Sequence, residues 1–330
     1  MHQRIPSIFT RLGTCIAVAA TVGGLAVPSA FAAYPDKPIR LVVPFAPGGG
    51  TDLIARTLGA GMSAELGQTV IIDNKPGAGT VIGTDAVAKS APDGYTLVIA
   101  TFAHAVNPSL QPKLPYATDK AFAPVILIGR GPNVLVVRPD SPYKSVRDIV
   151  AAARAHPKKL TYASQGNGTS AHLAGELLKY MSGTKIVAIP YKGGAPALTA
   201  VIAGDIPLSI NPLAEAISQI EGGPVRALAV TSAERSKALP NVPTVAESGV
   251  PGYDVSVWWG VLGPAKMPPE IVTKLESDLK AALQDPNVLS TLGKIGAAPV
   301  GSSSREFDAY MHAEATKWEP VLKAADIRAQ

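Results

Sequence analysis

The sequence predicts an α/β fold in two lobes, the second inserted into the first, and three observations predict it. Short β-rich runs alternate with helical periodicity along most of the chain, the signature of βαβ units. Glycine-rich turns stand between strand and helix in both halves. The chain has 330 residues, more than one simple core usually holds.

Residues 1–11 are basic, with Arg4 and Arg11 and no acid, and an apolar stretch follows from Leu12 to Val27. Pro28-Ser29-Ala30-Phe31-Ala32 then supplies a small-x-small cleavage pattern. Residues 1–32 are expected to be a cleaved secretory signal peptide, because the apolar stretch falls short of the ~20 residues a membrane span needs. The only cysteine, Cys15, lies inside it, so the mature chain holds no disulfide, thiolate nucleophile or cysteine-ligated metal. Loss of Arg4 and Arg11 lowers the formal charge from +5 to +3. That excess is too mild for a nucleic-acid partner, yet it presents no repulsive field to an anion.

Residues 39–45 read as a strand that breaks at Pro47-Gly48-Gly49-Gly50, and Thr51-Asp52 opens a helix with Leu53, Ile54, Leu58, Met62 and Leu66 on one face. A second strand at 70–74 ends in Lys75-Pro76-Gly77-Ala78-Gly79, and a helix carrying Ile82, Ala86 and Val87 follows. Pro92-Asp93-Gly94 is a turn before a third strand at 96–100. Residues 123–137 hold apolar runs broken by Gly129-Arg130-Gly131-Pro132, the expected first crossing between lobes. The pattern then restarts: helix 146–155, strand 160–163, loop Gln165-Gly166-Asn167-Gly168, and a helix from Ser170. Strand 186–189, helix 196–203, and strands 208–210 and 225–231 come next; residues 255–262 carry the chain back, and helices at 271–284 and 305–325 close it. The resulting lobes are 33–131 and 257–330 for the first and 132–256 for the second.

Three loops point to binding. In Pro47-Gly48-Gly49-Gly50-Thr51-Asp52 and in Ala163-Ser164-Gln165-Gly166-Asn167-Gly168-Thr169, glycines allow close backbone approach and the following helix start favours an anion. The third is Lys75-Pro76-Gly77-Ala78-Gly79. All fall beyond the carboxyl ends of strands, where open α/β sheets bind ligands. None ends in the Gly-Lys-Ser/Thr of a P-loop. His104, Asn107, Tyr191 and Lys192 are further candidates, and Asp52 reads equally as a capping carboxylate with Arg56 four residues on. One ring of Trp258-Trp259 is a candidate cleft wall, with packing against a helix as the alternative.

Taken together, Val43-Pro44-Phe45-Ala46-Pro47-Gly48-Gly49-Gly50-Thr51-Asp52-Leu53-Ile54-Ala55-Arg56, Asn74-Lys75-Pro76-Gly77-Ala78-Gly79, Ala91-Pro92-Asp93-Gly94-Tyr95-Thr96-Leu97, Pro190-Tyr191-Lys192-Gly193 and Arg226-Ala227-Leu228-Ala229-Val230-Thr231 resemble, in order, the motifs of the substrate-binding proteins of tripartite tricarboxylate transporters, the Bug family. The resemblance implies a two-lobed periplasmic-binding-protein clamshell (Venus flytrap), each lobe a mixed sheet flanked by helices. It implies capture of a small di- or tricarboxylate, amino acid or aromatic acid in the periplasm and delivery to membrane permease subunits. The ligand residues it implies, with those read from the loops, are Phe45, Gly49, Gly50, Thr51, Asp52, Gly77, Ala78, Thr101, His104, Ser164, Gly168, Thr169, His172, Tyr191 and Asn211. Family members often carry Asp where this chain has Asn211, and losing that charge favours a dianion.

An enzyme is the rival class, and its devices are missing from the sequence. There is no Gly-x-Ser-x-Gly, and His104, His156, His172 and His312 show no His-Glu-x-x-His spacing. No catalytic residue, metal or cofactor is expected, and the protein is expected to be a monomer. An extracytoplasmic sensor for the same ligand would share this sequence pattern and stays open as an alternative.

Overall fold

The computed structural model describes residues 34–111, 113–191 and 193–325; the expected signal peptide at 1–32 and Lys192 lie outside them. The elements, in order, are β1 (Ile39–Val43), α1 (Gly50–Leu66), β2 (Val70–Asn74), α2 (Val81–Ala88), β3 (Thr96–Thr101), α3 (Phe102–Leu110) and β4 (Phe122–Val137). They continue with α4 (Val146–Ala155), β5 (Thr161–Ser164), α5 (Ser170–Ser182), β6 (Val187–Pro190), α6 (Gly194–Ala203), β7 (Leu208–Pro212), α7 (Leu213–Glu221) and β8 (Arg226–Val230). The chain closes with β9 (Ser256–Pro264), α8 (Pro269–Ala282), α9 (Pro286–Lys294), β10 (Ala298–Pro299) and α10 (Ser304–Ala325). Pro35 onward forms one unit by its contacts.

The strand β4 organises the fold, because its two halves belong to different mixed sheets. Residues 122–132 pair antiparallel with β9, which pairs with β3, and β3, β1 and β2 run parallel beyond it. Residues 133–137 pair antiparallel with β7 on one side and β8 on the other, and β5 and β6 run parallel beyond β7. The partner changes between Pro132 and Asn133. Two-residue alternation then splits the side chains of this second half. Leu135 and Val137 enter one core, and Val134 and Val136 enter another with Leu198, Val201 and Leu213.

The C-terminal helix ties the returning strand down. In α10, Trp318 meets Phe102 of α3 edge-on at 5.1 Å and Phe307 meets Trp258 of β9 at 5.7 Å. Truncating a fully buried aromatic of this kind costs about 3–5 kcal/mol.

Four sequence expectations change. Residues 122–137 form one continuous strand, not runs broken at Gly129-Arg130-Gly131-Pro132. The glycine is needed where β10 crosses, since a Cβ at Gly129 would lie 2.7 Å from the Ala298 carbonyl oxygen. Leu53 is 43% exposed, so the core stripe of α1 is Ile54, Ala55, Leu58, Met62 and Leu66. Ile82 is exposed and lies over the turn at Gly77 rather than in the core. Helices α3 and α7 arise in stretches for which no helix was expected. Among the described residues no helix is long and apolar enough to cross a membrane.

Candidate functional site

Beyond β1 the chain turns at Gly48, whose φ of 87° suits glycine, and α1 starts with Gly49 as its N-cap (φ −83°, ψ 171°). A Ser or Asp there would bond the first helical N–H groups; glycine has no side chain to do so, and no side-chain cap is present. Asp52, three residues in, is almost fully buried and ties the turn down. It accepts from the Gly48 N–H at 2.9 Å, Arg56 Nε at 2.9 Å and Asn74 Nδ2 at 2.9 Å. Burial works against its ionisation, but the bonds from Arg56, Gly48 and Asn74 outweigh it and hold the carboxyl below its ordinary value.

The second loop takes an unusual backbone path. Gly77, Ala78, Gly79 and Thr80 have φ of 132°, 47°, 61° and 81°, a strained run that α3 holds from outside. Asn107 Nδ2 donates to the Gly79 carbonyl at 2.9 Å and Gln111 Nε2 to the Ala78 carbonyl at 3.1 Å. The first residues of α3 follow β3 directly, and Thr101 caps nothing with its side chain.

In the second lobe Thr169 caps α5. Its Oγ1 donates to the Gly166 carbonyl at 2.7 Å and accepts from the His172 N–H at 3.3 Å. Gly168, at φ 73°, donates its N–H to His172 Nδ1 at 3.1 Å. Burial lowers the His172 pKa, and the nearby Glu176 partly offsets this. The neutral ring is the form that accepts at Nδ1.

These loops wall one cavity of about 530 Å³. The starts of four helices border it: residues 49–51 at α1, 101–103 at α3, 168–170 at α5, and Pro212, Ala214 and Glu215 at α7. Each helix start is the positive end of a peptide dipole with unpaired N–H groups. Phe45, Phe102, Leu110, Val257 and Trp259 supply the apolar wall. Trp259 Nε1 donates to Thr51 Oγ1 at 3.1 Å, so the strand β9 braces the first loop. Among the described lining residues there is no Lys, Arg or His, and one carboxylate, Glu215. The lobes nearly touch beside the cavity. A Cβ on Gly50 would stand 3.3 Å from Ala214 Cβ, and one on Gly168 would stand 2.7 Å from Leu110 Cδ1.

Of the residues expected from sequence, Phe45, Gly49, Gly50, Thr51, Gly77, Ala78, Thr101, Gly168 and Thr169 line this cavity. Six lie off its wall. Asp52 is committed to the knot with Arg56 and Asn74. His172 stands behind Gly168 as its acceptor. Ser164 and Asn211 are fully buried at the ends of β5 and β7, with Asn211 Nδ2 donating to Ser209 Oγ. Tyr191 closes the turn after β6 by donating its N–H to the Ser164 carbonyl at 2.8 Å. His104 lies in α3 edge-on to Phe122, at 5.0 Å, beside a separate cavity of about 430 Å³. The pair of tryptophans divides its roles: Trp259 walls the cavity and Trp258 packs between Phe307 and Tyr310.

Gln165 and Asn167 of the expected second loop and Asn107 also line the cavity, as do Glu215 and Gln111, which were not singled out from sequence. For Glu215 a signal existed: Leu213, Ala216, Ile217 and Ile220 recur at helical spacing, and a helix there would start against the cleft.

The burial of His104 has a measurable consequence. Desolvation lowers its pKa from 6.5 to about 4. The unfolded chain therefore binds the proton more readily in that window, and stability present above pH 6.5 is lost as pH falls toward 4. The full loss is about 3 kcal/mol, and His104→Phe should remove most of it in denaturant melts at pH 7 and pH 4.5. An unchanged acid loss in the variant would contradict this origin.

A family model described as "Tripartite tricarboxylate transporter family receptor" matches residues 54–327. Protein BugT of Bordetella pertussis is 37% identical over 316 residues, spanning 95% of this chain and 97% of BugT. The structure of Rhodopseudomonas palustris Rpa4515 with adipate matches at a TM-score of 0.83 and 40% identity, covering 89% of this chain and 99% of that one. MatC (Rpa3494) of the same organism, with bound malate, matches at 0.79 and 32% identity, covering 88% and 100%.

Proposed function

This chain belongs to the tripartite tricarboxylate transporter receptor family, and from that premise we propose that it captures a small carboxylate between its lobes and delivers it to a tripartite tricarboxylate-type permease. The observation that carries the reading is the convergence of four helix starts on one cavity whose wall has no cationic side chain among the described residues. Such a site neutralises an acid group with peptide N–H groups and helix dipoles. Adipate and malate in two solved relatives support a small di- or tricarboxylate, and Phe45, Phe102 and Trp259 leave room in the reading for an aromatic acid.

The contacts fall to the nine expected residues on the wall. The lobes are 33–131 with 257–330, and 132–256; the change of partners along β4 at Pro132 supports that division. The protein works in the periplasm as a monomer after loss of residues 1–32, without cofactor and without chemistry on its ligand. Open lobes meet the acid at the α1 start, and closure onto 168–170 is favoured by the added contacts of the closed state. Micromolar affinity, about −8 kcal/mol, is within reach of a few charge-assisted bonds.

A thermal-shift screen over mono-, di- and tricarboxylates and aromatic acids tests the reading, because a ligand that binds only the folded state raises the melting temperature. At least one acid should raise it in a concentration-dependent way; no response to any acid would overturn the reading. Thr169→Ala should weaken binding of the responding acid by about 1–2 kcal/mol and cost about 1 kcal/mol of stability through the lost cap. Calorimetry and denaturant melts separate the two, and unchanged affinity would remove the hydroxyl from the contact set.

A further inference from the structure

Glu215 is the one ionisable side chain on the cavity wall among the described residues. It stands in the first turn of α7, next to Ala214, which meets Gly50 across the cleft. Its carboxyl lies over the start of α6, where a Cβ on Gly194 would overlap it and the nearby Gly194 N–H favours its charged form. Asn211 Oδ1 sits beside the same point, 3.0 Å from that Cβ position. The charge absent at Asn211 is thus present four residues later, on the cavity wall itself.

No described cation pairs with this carboxyl. The elements packed against α7 are α6, β7 and β4. Neither α6 nor β7 carries a charged residue, and the charged residue of β4, Arg130, lies over the Tyr310 ring at 5.9 Å. Lys294, ending α9, is exposed, Glu221 closes α7, and Asp52 across the cleft is held by Arg56. Burial raises the Glu215 pKa above the ordinary carboxylate value, and the nearby Gly194 N–H offsets this only in part.

Resting on the carboxylate-binding reading, we propose that Glu215 sets the charge of the acid this cavity accepts: it favours a monoanion that also carries a hydrogen-bond donor, and it admits a dianion only with uptake of one proton. An ionised Glu215 accepts from a ligand hydroxyl or ammonium. Against a second ligand carboxylate it is a like charge in a desolvated site, where such repulsion is strongest. Protonated, the same side chain becomes a donor to that carboxylate. This role for Glu215 runs against the lean toward dianions drawn from Asn211, and the experiment below decides between them.

Calorimetry with adipate, succinate and malate, and with 6-hydroxyhexanoate and 4-hydroxybutyrate as monoanionic partners of equal length, tests this in wild type and Glu215→Gln. Buffers of different ionisation enthalpy at pH 7 count the protons taken up. Wild type should take up about one proton per diacid bound and none per hydroxy acid. Its diacid affinity should rise about tenfold as pH falls from 8 to 7. Glu215→Gln should bind the diacids at least tenfold tighter at pH 7 with no proton uptake, and should bind the hydroxy acids several-fold more weakly, because the charged acceptor for their hydroxyl is gone. A purely structural role in capping α6 would lower all affinities together and leave proton uptake at zero in both proteins, which overturns the assignment. Diacid binding without proton uptake in wild type overturns it as well. If neither protein binds any of these acids while the thermal-shift screen finds another acid that binds, the Glu215 assignment is overturned and the carboxylate-binding reading stands; if the screen finds no acid either, that reading fails as well.

Discussion

Gly49→Trp should abolish acid binding and leave the fold intact. The backbone at Gly49 (φ −83°) suits any residue, and a Cβ there meets only the Ala46 carbonyl oxygen at 3.9 Å. The side chain can therefore be added without strain, and the space open to it is the cavity that Gly49 lines. An indole in that space covers the α1 N–H groups and excludes the ligand. The dissociation constant should rise more than about 100-fold, close to 3 kcal/mol, with melting temperature within a few degrees of wild type. Calorimetry and circular dichroism decide it; wild-type affinity in a folded variant would place the ligand elsewhere.

Asp52→Ala should do the opposite, disturbing the fold first and binding through it. Removing the carboxylate leaves the Gly48 N–H and Asn74 Nδ2 without this acceptor. Arg56 is half exposed, so water compensates its lost bond and its share is small. The expected destabilisation is about 1 kcal/mol, because both donors are only part-buried and Asn74 Nδ2 keeps the Phe45 carbonyl as an acceptor. The glycine turn should loosen, and acid affinity should fall at least tenfold. Because the folded pKa of Asp52 is lowered, its contribution is present above the unfolded carboxylate range and fades as pH drops through the folded value. Urea melts at pH 7 and pH 3 measure this: the gap between wild type and variant should narrow toward low pH, and a variant as stable as wild type at pH 7 would contradict the account of the knot.

The glycine loops were legible because close backbone approach demands glycine whatever the neighbours do, and Gly49, Gly50, Gly77 and Gly168 all reach the cavity wall. The pairing of Asp52 with Arg56 was legible from their spacing on one helix face, which made capping a fair rival to binding. Long-range partnership was not legible. Gly129-Arg130-Gly131-Pro132 has the composition of a breaker, yet β9 and β10 pair across it and keep the strand whole. His172 carries the chemistry of a ligand contact, but the Gly168 N–H engages it from behind the wall. Glu215 escaped notice although the helical spacing of Leu213, Ala216, Ile217 and Ile220 was there to be read, because a lone Glu in a short amphipathic stretch looks like a solvated charge.

The central claim is that peptide N–H groups from two facing lobes together neutralise one acid group. A crystal structure of the protein with the acid giving the largest thermal shift tests it most directly. The account predicts a carboxylate in the main cavity, with its oxygens within hydrogen-bond distance of N–H groups in residues 49–51 and 168–170. An acid seated in the cavity beside His104, or held by side chains of one lobe alone, would contradict it.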